Sequence, residues 1–320
     1  MAFLSMAGDY FSSLKLSALL RALPGGLAQG LIWGILALGV FMTFRMLGIS
    51  DLTVDGSMAT GAAVCIMLVL SGVNPQLALL ASFFAGMIAG VITGFLHTRL
   101  GIPDILAGIL TQISLYSINL NIMGKANQAV NVNKVMFLFT SNARLLTRTI
   151  WLVFGVCLAL VVGLYMYLGT EHGSALRATG INGNMSRAQG INTNRMKVIG
   201  LALSNGLVAL SGGIMSQYQG FADINMGRGA IVIGLAAVII GEALFGRLFR
   251  NFGLKLIGVA LGSILYYFVL QTVIWLGVDT DLLKLFSALV VAVFLAIPYW
   301  KGKYFAKPTV RKGGNDNAGN

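Results

Sequence analysis

Two aspartates and a serine open one of the apolar runs of this 320-residue chain, in the stretch Ile49-Ser-Asp-Leu-Thr-Val-Asp-Gly-Ser-Met-Ala-Thr-Gly61. Asp51, Asp55 and Ser57 therefore fall at or below a membrane edge. A carboxylate there is costly unless it is paired or hydrated. Two chemistries suit it. Asp55-Gly56-Ser57 fits a break in a membrane helix, with freed backbone groups and the carboxylate facing a water-filled path for a solute. Alternatively, Asp51 or Asp55 is a helix N-cap that accepts unpaired N–H groups in the interface. Capping is the first reading for both residues and does not exclude a place on a pathway.

Other polar residues sit at the ends of apolar runs. Gln217, Gln219 and Asp223 follow one another near the outer end of a later run, where they face a translocation mouth, a partner, or water. Glu242 closes a further run five residues before Arg247. A lone Glu at a helix C-terminus opposes the helix dipole, so a cationic partner is expected, with structural pairing favoured over gating. Asp279 and Asp281 precede the last run, where capping is the first explanation.

Several chemistries are missing from the sequence. No Walker sequence or other phosphate-cradling Gly loop occurs. His97 and His172 are far apart at membrane edges and read as surface residues, and Cys65 and Cys157 lie inside apolar runs, so neither a metal site nor a disulfide framework is indicated. There is no Ser elbow and no pair of in-membrane carboxylates of the protease kind. The chain reads as a non-enzyme without a cofactor or metal of its own.

The elements that must hold these residues follow from composition. The chain is 57% hydrophobic and 10% charged, with a mean hydropathy of +0.84. That is too little polar surface for a soluble protein of this size, so the fold class is all-α, a polytopic membrane protein. Apolar runs of about 20 residues exclude a β-barrel, whose strands alternate over about ten. Candidate spans are 27–44, 53–70, 76–96, 105–120, 150–168, 198–215, 230–245, 254–275 and 282–298, about nine transmembrane helices. Residues 1–24 read as an amphipathic interfacial segment, 25–300 as the membrane domain, and 301–320 as a basic, disordered cytoplasmic tail. The net charge of +12 comes partly from that tail, and membrane-side bias explains it better than nucleic-acid binding.

One polar island interrupts the apolar chain at 170–197, TEHGSALRATGINGNMSRAQGINTNRMK, with Arg177, Arg187, Arg195 and Lys197 against one acid, Glu171. The positive-inside tendency places it in the cytoplasm. Alternation then puts the N-terminus outside and the C-terminus inside, and the basic segment 121–148 outside, against the same tendency. Asn184 to Gly190 reads as a short helix with Asn184 as N-cap and Gly190 and Asn192 as stop signals. Such a helix is shaped to dock on a soluble partner, and an ordinary solvated loop is the equal alternative. Elsewhere Gly26, Gly30 and Gly34, Gly86, Gly90 and Gly94, and Gly258 and Gly262 recur every four residues. Such rows let helix backbones approach closely.

From Ala175 to Glu242, in ALRATGINGNMSRAQGINTNRMKVIGLALSNGLVALSGGIMSQYQGFADINMG and the following IVIGLAAVIIGEALFG, the chain closely resembles membrane permeases of bacterial ABC importers. The group is the one that handles branched-chain amino acids, riboside-type and sugar solutes. The DLTVDGS opening is similar to a subgroup that includes permeases of tryptophan or tyrosine uptake, and the likeness runs from Gly25 to about Trp300. The resemblance implies a type II importer fold in the bacterial cytoplasmic membrane. It also implies a second permease copy or homologue, two cytosolic ABC ATPase subunits that carry ATP and Mg, and an extracytoplasmic solute-binding protein that delivers a small-molecule substrate. It places Arg177, Gly180, Asn184, Arg187, Gly190 and Ile191 at the ATPase contact. The chain departs from its relatives after the Ala-Thr-Gly turn, where Ile181-Asn-Gly-Asn184 replaces acidic residues.

The sequence reading is therefore a permease subunit that translocates an amino-acid-like solute, aromatic ones included, past Asp55, Gly56, Ser57, Gln217 and Gln219. A stand-alone ion-coupled secondary transporter using Asp51 or Asp55 is the alternative. A membrane scaffold without transport is the third class.

Overall fold

The computed structural model describes residues 16–130, 138–142, 145–246, 251–277 and 282–304. Asp279, Asp281 and Arg247, most of the expected interfacial segment 1–24 and most of the basic tail lie outside the described residues.

Helices account for nearly all of the described chain. α1 is Leu16–Phe41, extended by a wider π-helical turn, Met42–Leu47. It runs through Pro24 without interruption, so no break separates residues 16–24 from the first span. α2 is Thr53–Leu70, α3 Pro75–Arg99, α4 Asp104–Met123 and α5 Leu146–Gly169. Two short helices follow, α6 Glu171–Ile181 and α7 Gly183–Ala188, then α8 Thr193–Gln219, α9 Ala230–Phe245, α10 Phe252–Trp275 and α11 Leu283–Tyr304. Two three-residue strands, β1 Asn127–Ala129 and β2 Phe221–Asp223, pair antiparallel with Gln128 opposite Ala222.

Local chemistry sets the helix ends. Asn74 accepts the N–H of Gln76 ahead of Pro75, and Thr170 accepts that of Gly173. Both are side-chain caps for N–H groups that the helix itself leaves unpaired. After the π turn, Gly48 takes a left-handed conformation (φ 66°). This reverses the chain, so that 49–52 leads back into the bundle and α2 starts inside it.

Among the described residues, seven helices are long and apolar enough to cross a membrane: α1 with its π turn, α2, α3, α4, α5, α8 and α10. Of the nine expected spans, the other two correspond to shorter apolar helices, Ala230–Phe245 and Leu285–Phe294. α9 is 16 residues long, below the usual 17–25 for a span. The reason is visible at its start. The preceding segment re-enters the bundle, and Gly227 lies so close to the Asp55 backbone carbonyl that a Cβ there would collide with it.

α1, α8 and α2 form the centre, with 83%, 78% and 72% of their most apolar windows buried, against 28% for α4 and α5. The glycine rows are the seams of this centre. Gly30 and Gly34 meet Ile264, Ser263 and Ala260 of α10, and Gly86, Gly90 and Gly94 lie on the α8 backbone from Asn205 to Val198. Without a hydrophobic drive between helices in lipid, such backbone-to-backbone packing supplies the association.

Candidate functional site

The two ends of the bundle differ in kind. One holds α6 and α7, the π turn of α1, the C-termini of α3 and α9 and the N-terminus of α10. The other holds the β1–β2 pair. Residues 124–130 after α4 are therefore at the end opposite α6 and α7, and Lys125 is exposed there, whereas Lys134 and Arg144 lie outside the described residues.

Asp55 does not mark a break. α2 is continuous through Asp55, Gly56 and Ser57, which occupy its first turns. The Asp55 carboxylate instead caps a different helix: Gly229 N donates to Oδ2 at 2.9 Å and Ile231 N donates to Oδ1 at 3.0 Å. Gly229, at φ 84°, cannot cap α9 with a side chain of its own. A carboxylate from α2 satisfies the N–H groups at that helix end and faces its positive dipole.

Asp51 is fully buried and belongs to a polar seam. Asn205 Nδ2 donates to Asp51 Oδ2 at 2.6 Å, Ser57 Oγ donates to Asn205 Oδ1 at 2.6 Å, and Thr53 N donates to Asp51 Oδ1 at 2.9 Å. Burial pushes the Asp51 carboxyl above the usual carboxylate range, against the lowering effect of these hydrogen bonds. Beside it, Thr93 bridges Thr53 at 2.8 Å and Thr111 at 2.9 Å. The seam joins α2, α3, α4 and α8.

A cavity of about 300 Å³ lies between α2, α4 and the segment 224–228. Asp55, Gly56, Gln112, Tyr116, Asn119 and Arg228 are among its lining. Asn119 is fully buried, yet neither its Nδ2 nor its Oδ1 has a hydrogen-bond partner. Ser57 turns away to Asn205. Gln217 is also elsewhere, buried with its Nε2 on Pro75 O at 3.1 Å and Cys65 Sγ at 3.3 Å. Gln219 is half-buried at the end of α8, next to β2. The candidate pathway residues thus divide, with Asp55 and Gly56 at the cavity and the other three outside its lining.

At the other end, the polar island is two helices rather than a loop with one. Asn182, not Asn184, caps α7, its Oδ1 accepting Asn184 N and Met185 N at 3.1 Å each. The difference is one of spacing: the cap must precede the first free N–H groups, and those belong to Asn184 and Met185. Gly190, at φ 81°, follows α7 into open space. Asn192, expected to stop this helix, instead starts α8 by accepting Arg195 N at 3.1 Å. Gly180 lies against the backbone carbonyl of Met46, where a Cβ would collide. Arg177 is half-buried, its guanidinium 5.4 Å from the centre of the Phe252 ring. Arg187 Nε donates to Thr193 Oγ1 at 2.9 Å. Asn184 is exposed and Ile191 half-buried. The exposed large apolar side chains of the island are Ile181 and Met185, at 87% and 63%.

Glu242 has the cationic partner that its position calls for. Arg45, in the π turn, places its Nε 2.8 Å from Glu242 Oε1, tying α1 to the end of α9. His97 Nε2 accepts Lys197 Nζ at 3.0 Å, which leaves its Nδ1 protonated to donate to Ile102 O at 2.9 Å. His97 therefore joins α3 to α8. Among the described residues no group of His, Cys, Asp and Glu could hold a metal ion.

Comparison with known proteins supplies the family. Residues 23–298 match the model of the branched-chain amino acid transport system permease component. The chain belongs to that permease family. It is 38% identical over 270 residues to a tyrosine transport system permease protein of Clostridioides difficile (strain R20291), covering 84% of this chain and 89% of that one. It is 36% identical over 274 residues to the uncharacterized protein RP368 of Rickettsia prowazekii (strain Madrid E), covering 84% and 95%. Among solved structures it is similar in fold to PsaBC from Streptococcus pneumoniae in complex with Fab. That match has a TM-score of 0.53 at 14% identity, over 93% of this chain and 98% of that one. The likeness drawn from the sequence holds: the chain is a multi-pass permease subunit of the ABC importer class.

Several residues of the candidate site are not evident from sequence reading. Gln112, Tyr116 and Asn119 stand at i, i+4 and i+7 of α4, one face of a helix, and this polar stripe in an apolar run is the signal that could have found them. Arg228, Asn205 and Arg45 carry no such local mark. Asn205 and Arg45 acquire their roles from partners on other elements, and Arg228 is brought to the cavity by the fold.

Proposed function

We propose that this permease passes a small amino-acid-like solute across the bacterial cytoplasmic membrane, driven by separate ATPase subunits that hold ATP and Mg and dock on α6 and α7. The observation that carries the reading is the pair Ile181 and Met185, exposed on two rigidly capped short helices. Large apolar side chains presented to water mark an interaction site, and Asn184 and Arg187 beside them are exposed polar and cationic contacts. The chemistry expected of the partner is an apolar groove with acidic margins.

The same helices are built to pass a push inward. α6 is seated on the π turn through Gly180 and Met46, and Leu176 meets Gly200 of α8. A displacement of α7 therefore reaches α1 and α8 without a flexible link, and Arg45 carries it on to α9 through Glu242. A second permease copy or homologue completes the pathway, and an extracytoplasmic binding protein delivers solute at the β1–β2 end. The seven long and two shorter apolar helices of the described residues belong to the membrane domain of this type II reading. The tyrosine transport role of the Clostridioides difficile relative supports an amino acid as the solute. An ion-coupled carrier finds less support, because the chain belongs to a permease family of the ABC importer class and both Asp51 oxygens are engaged by Thr53 and Asn205.

The test is recovery of partners in mild detergent. Wild type should bring down an ATPase with a Walker motif. Ile181→Glu with Met185→Glu should lose it while the melting temperature stays unchanged, since both side chains are exposed. Gradient-driven uptake by the purified chain alone, with no ATPase recovered, would overturn the reading.

A further inference from the structure

Resting on the reading of an amino-acid-like solute, we propose that the cavity between α2, α4 and the segment 224–228 binds an aromatic or other apolar α-amino acid as its zwitterion. The cavity measures about 300 Å³, at the small end of ligand sites, so it suits one amino acid rather than a peptide or an oligosaccharide.

Its charged groups come as a complementary pair. Asp55 offers a carboxylate and Arg228 a guanidinium, and the lining is formally neutral. A free anion would meet Asp55 and a free cation would meet Arg228. A zwitterion satisfies both. Each Asp55 oxygen accepts one backbone N–H, from Gly229 and from Ile231, and a carboxylate has about four acceptor sites. Two remain for an ammonium group. Arg228 is exposed, and its planar fork matches a carboxylate in bidentate fashion.

Asn119 supplies the independent evidence. It is 0% exposed, and both amide atoms lack a partner. A buried amide left in this state costs free energy comparable to the hydrogen bonds it forgoes. Asn119 lines the cavity, and one donor and one acceptor together suit a ligand that carries both kinds of group. Tyr116, Ile113 and Ile224 complete the wall with an aromatic ring and two aliphatic side chains for the solute's apolar part. A short ligand bound this way spans α2, α4 and the chain that leads into α9. Occupancy would therefore be felt at the start of the helix whose other end holds Glu242.

The experiment measures equilibrium binding of labelled L-tyrosine to the full-length permease, co-purified with its partner subunits. The competitors are tyramine, which lacks the carboxylate, and 3-(4-hydroxyphenyl)propionate, which lacks the ammonium group. L-Tyrosine should bind at least tenfold more tightly than either analogue. Arg228→Gln, at an exposed position, should bring L-tyrosine down to the level of tyramine while tyramine itself is unchanged. Asn119→Leu, which fills the place of the amide, should lower L-tyrosine binding at least tenfold in protein that still elutes as the intact complex. If wild type does not discriminate among the three compounds, or if Arg228→Gln binds them as wild type does, the site assignment is overturned. Uptake of L-tyrosine by cells carrying wild type, measured in parallel, separates the two failures. Uptake that persists leaves the transport reading standing without this site, whereas uptake of no amino acid, with no ATPase recovered, removes the transport reading itself.

Discussion

The carboxylate of Asp55 and the backbone amide of Ile231 lie 3.0 Å apart, although 176 residues separate them in the chain. A helix end that has no capping side chain of its own is completed by a residue from another span. Replacing Asp55 with Ala should therefore cost about 1–2 kcal/mol, the usual value of an N-cap. Asn, which keeps an accepting oxygen, should cost less than half as much. Thermal unfolding in detergent would check the order, and equal effects of Ala and Asn would show that the cap contributes nothing.

The Arg45–Glu242 pair joins α1 to α9 at 2.8 Å, with side chains 58% and 33% exposed. Solvent screening at that exposure limits its value to stability to below about 1 kcal/mol. A double-mutant cycle on Arg45→Gln and Glu242→Gln should return a coupling energy in that range. A coupling of several kcal/mol would mean that the pair is effectively buried in the assembled transporter.

Asn205 holds Asp51 and Ser57 together at 2.6 Å each in a buried seam. Asn205→Leu leaves both without that partner and should lower stability by about 2–4 kcal/mol. Ser57→Ala removes one hydrogen bond only and should cost about 1 kcal/mol. Denaturant titration of the two variants would compare them directly, and similar losses would deny Asn205 its central place.

Glycines of the same kind in the sequence should respond oppositely to alanine. A Cβ at Gly90 collides with the backbone of Leu201, whereas one at Gly163 of α5 meets nothing. Gly90→Ala should destabilise by about 1–3 kcal/mol, because the helices must separate. Gly163→Ala should be neutral or stabilising by up to about 1 kcal/mol, since Ala is the better helix former. Melting temperatures that moved in the same direction would contradict the packing described.

Much of this protein is local information. Apolar runs of span length give the helices, because a backbone in lipid has to satisfy its own hydrogen bonds. The four-residue glycine rows mark the packing faces, because only close backbones attract strongly there. The basic island at 170–197 is legible as a water-facing element because charge is so scarce elsewhere. The resemblance carried by ALRATGINGNMSRAQGINTNRMK and IVIGLAAVIIGEALFG gives the family.

The tertiary structure decided what depends on distance in space. An apolar run of 16 residues reads as a span until Gly227 is found packed on Asp55, which brings the start of α9 inside the bundle. Asp55 reads as a cap for its own helix or as a break in it, and only the fold shows that the helix it caps is α9. Asn184 and Asn182 are equally good caps by residue type, and the position of the first free N–H groups selects Asn182. Arg45 and Asn205 take their roles from residues far away in sequence, and Arg228 shares a cavity with Asp55 only in the fold. A side chain's charge and hydrogen-bonding capacity are written in its type, but the group that meets them is supplied by packing.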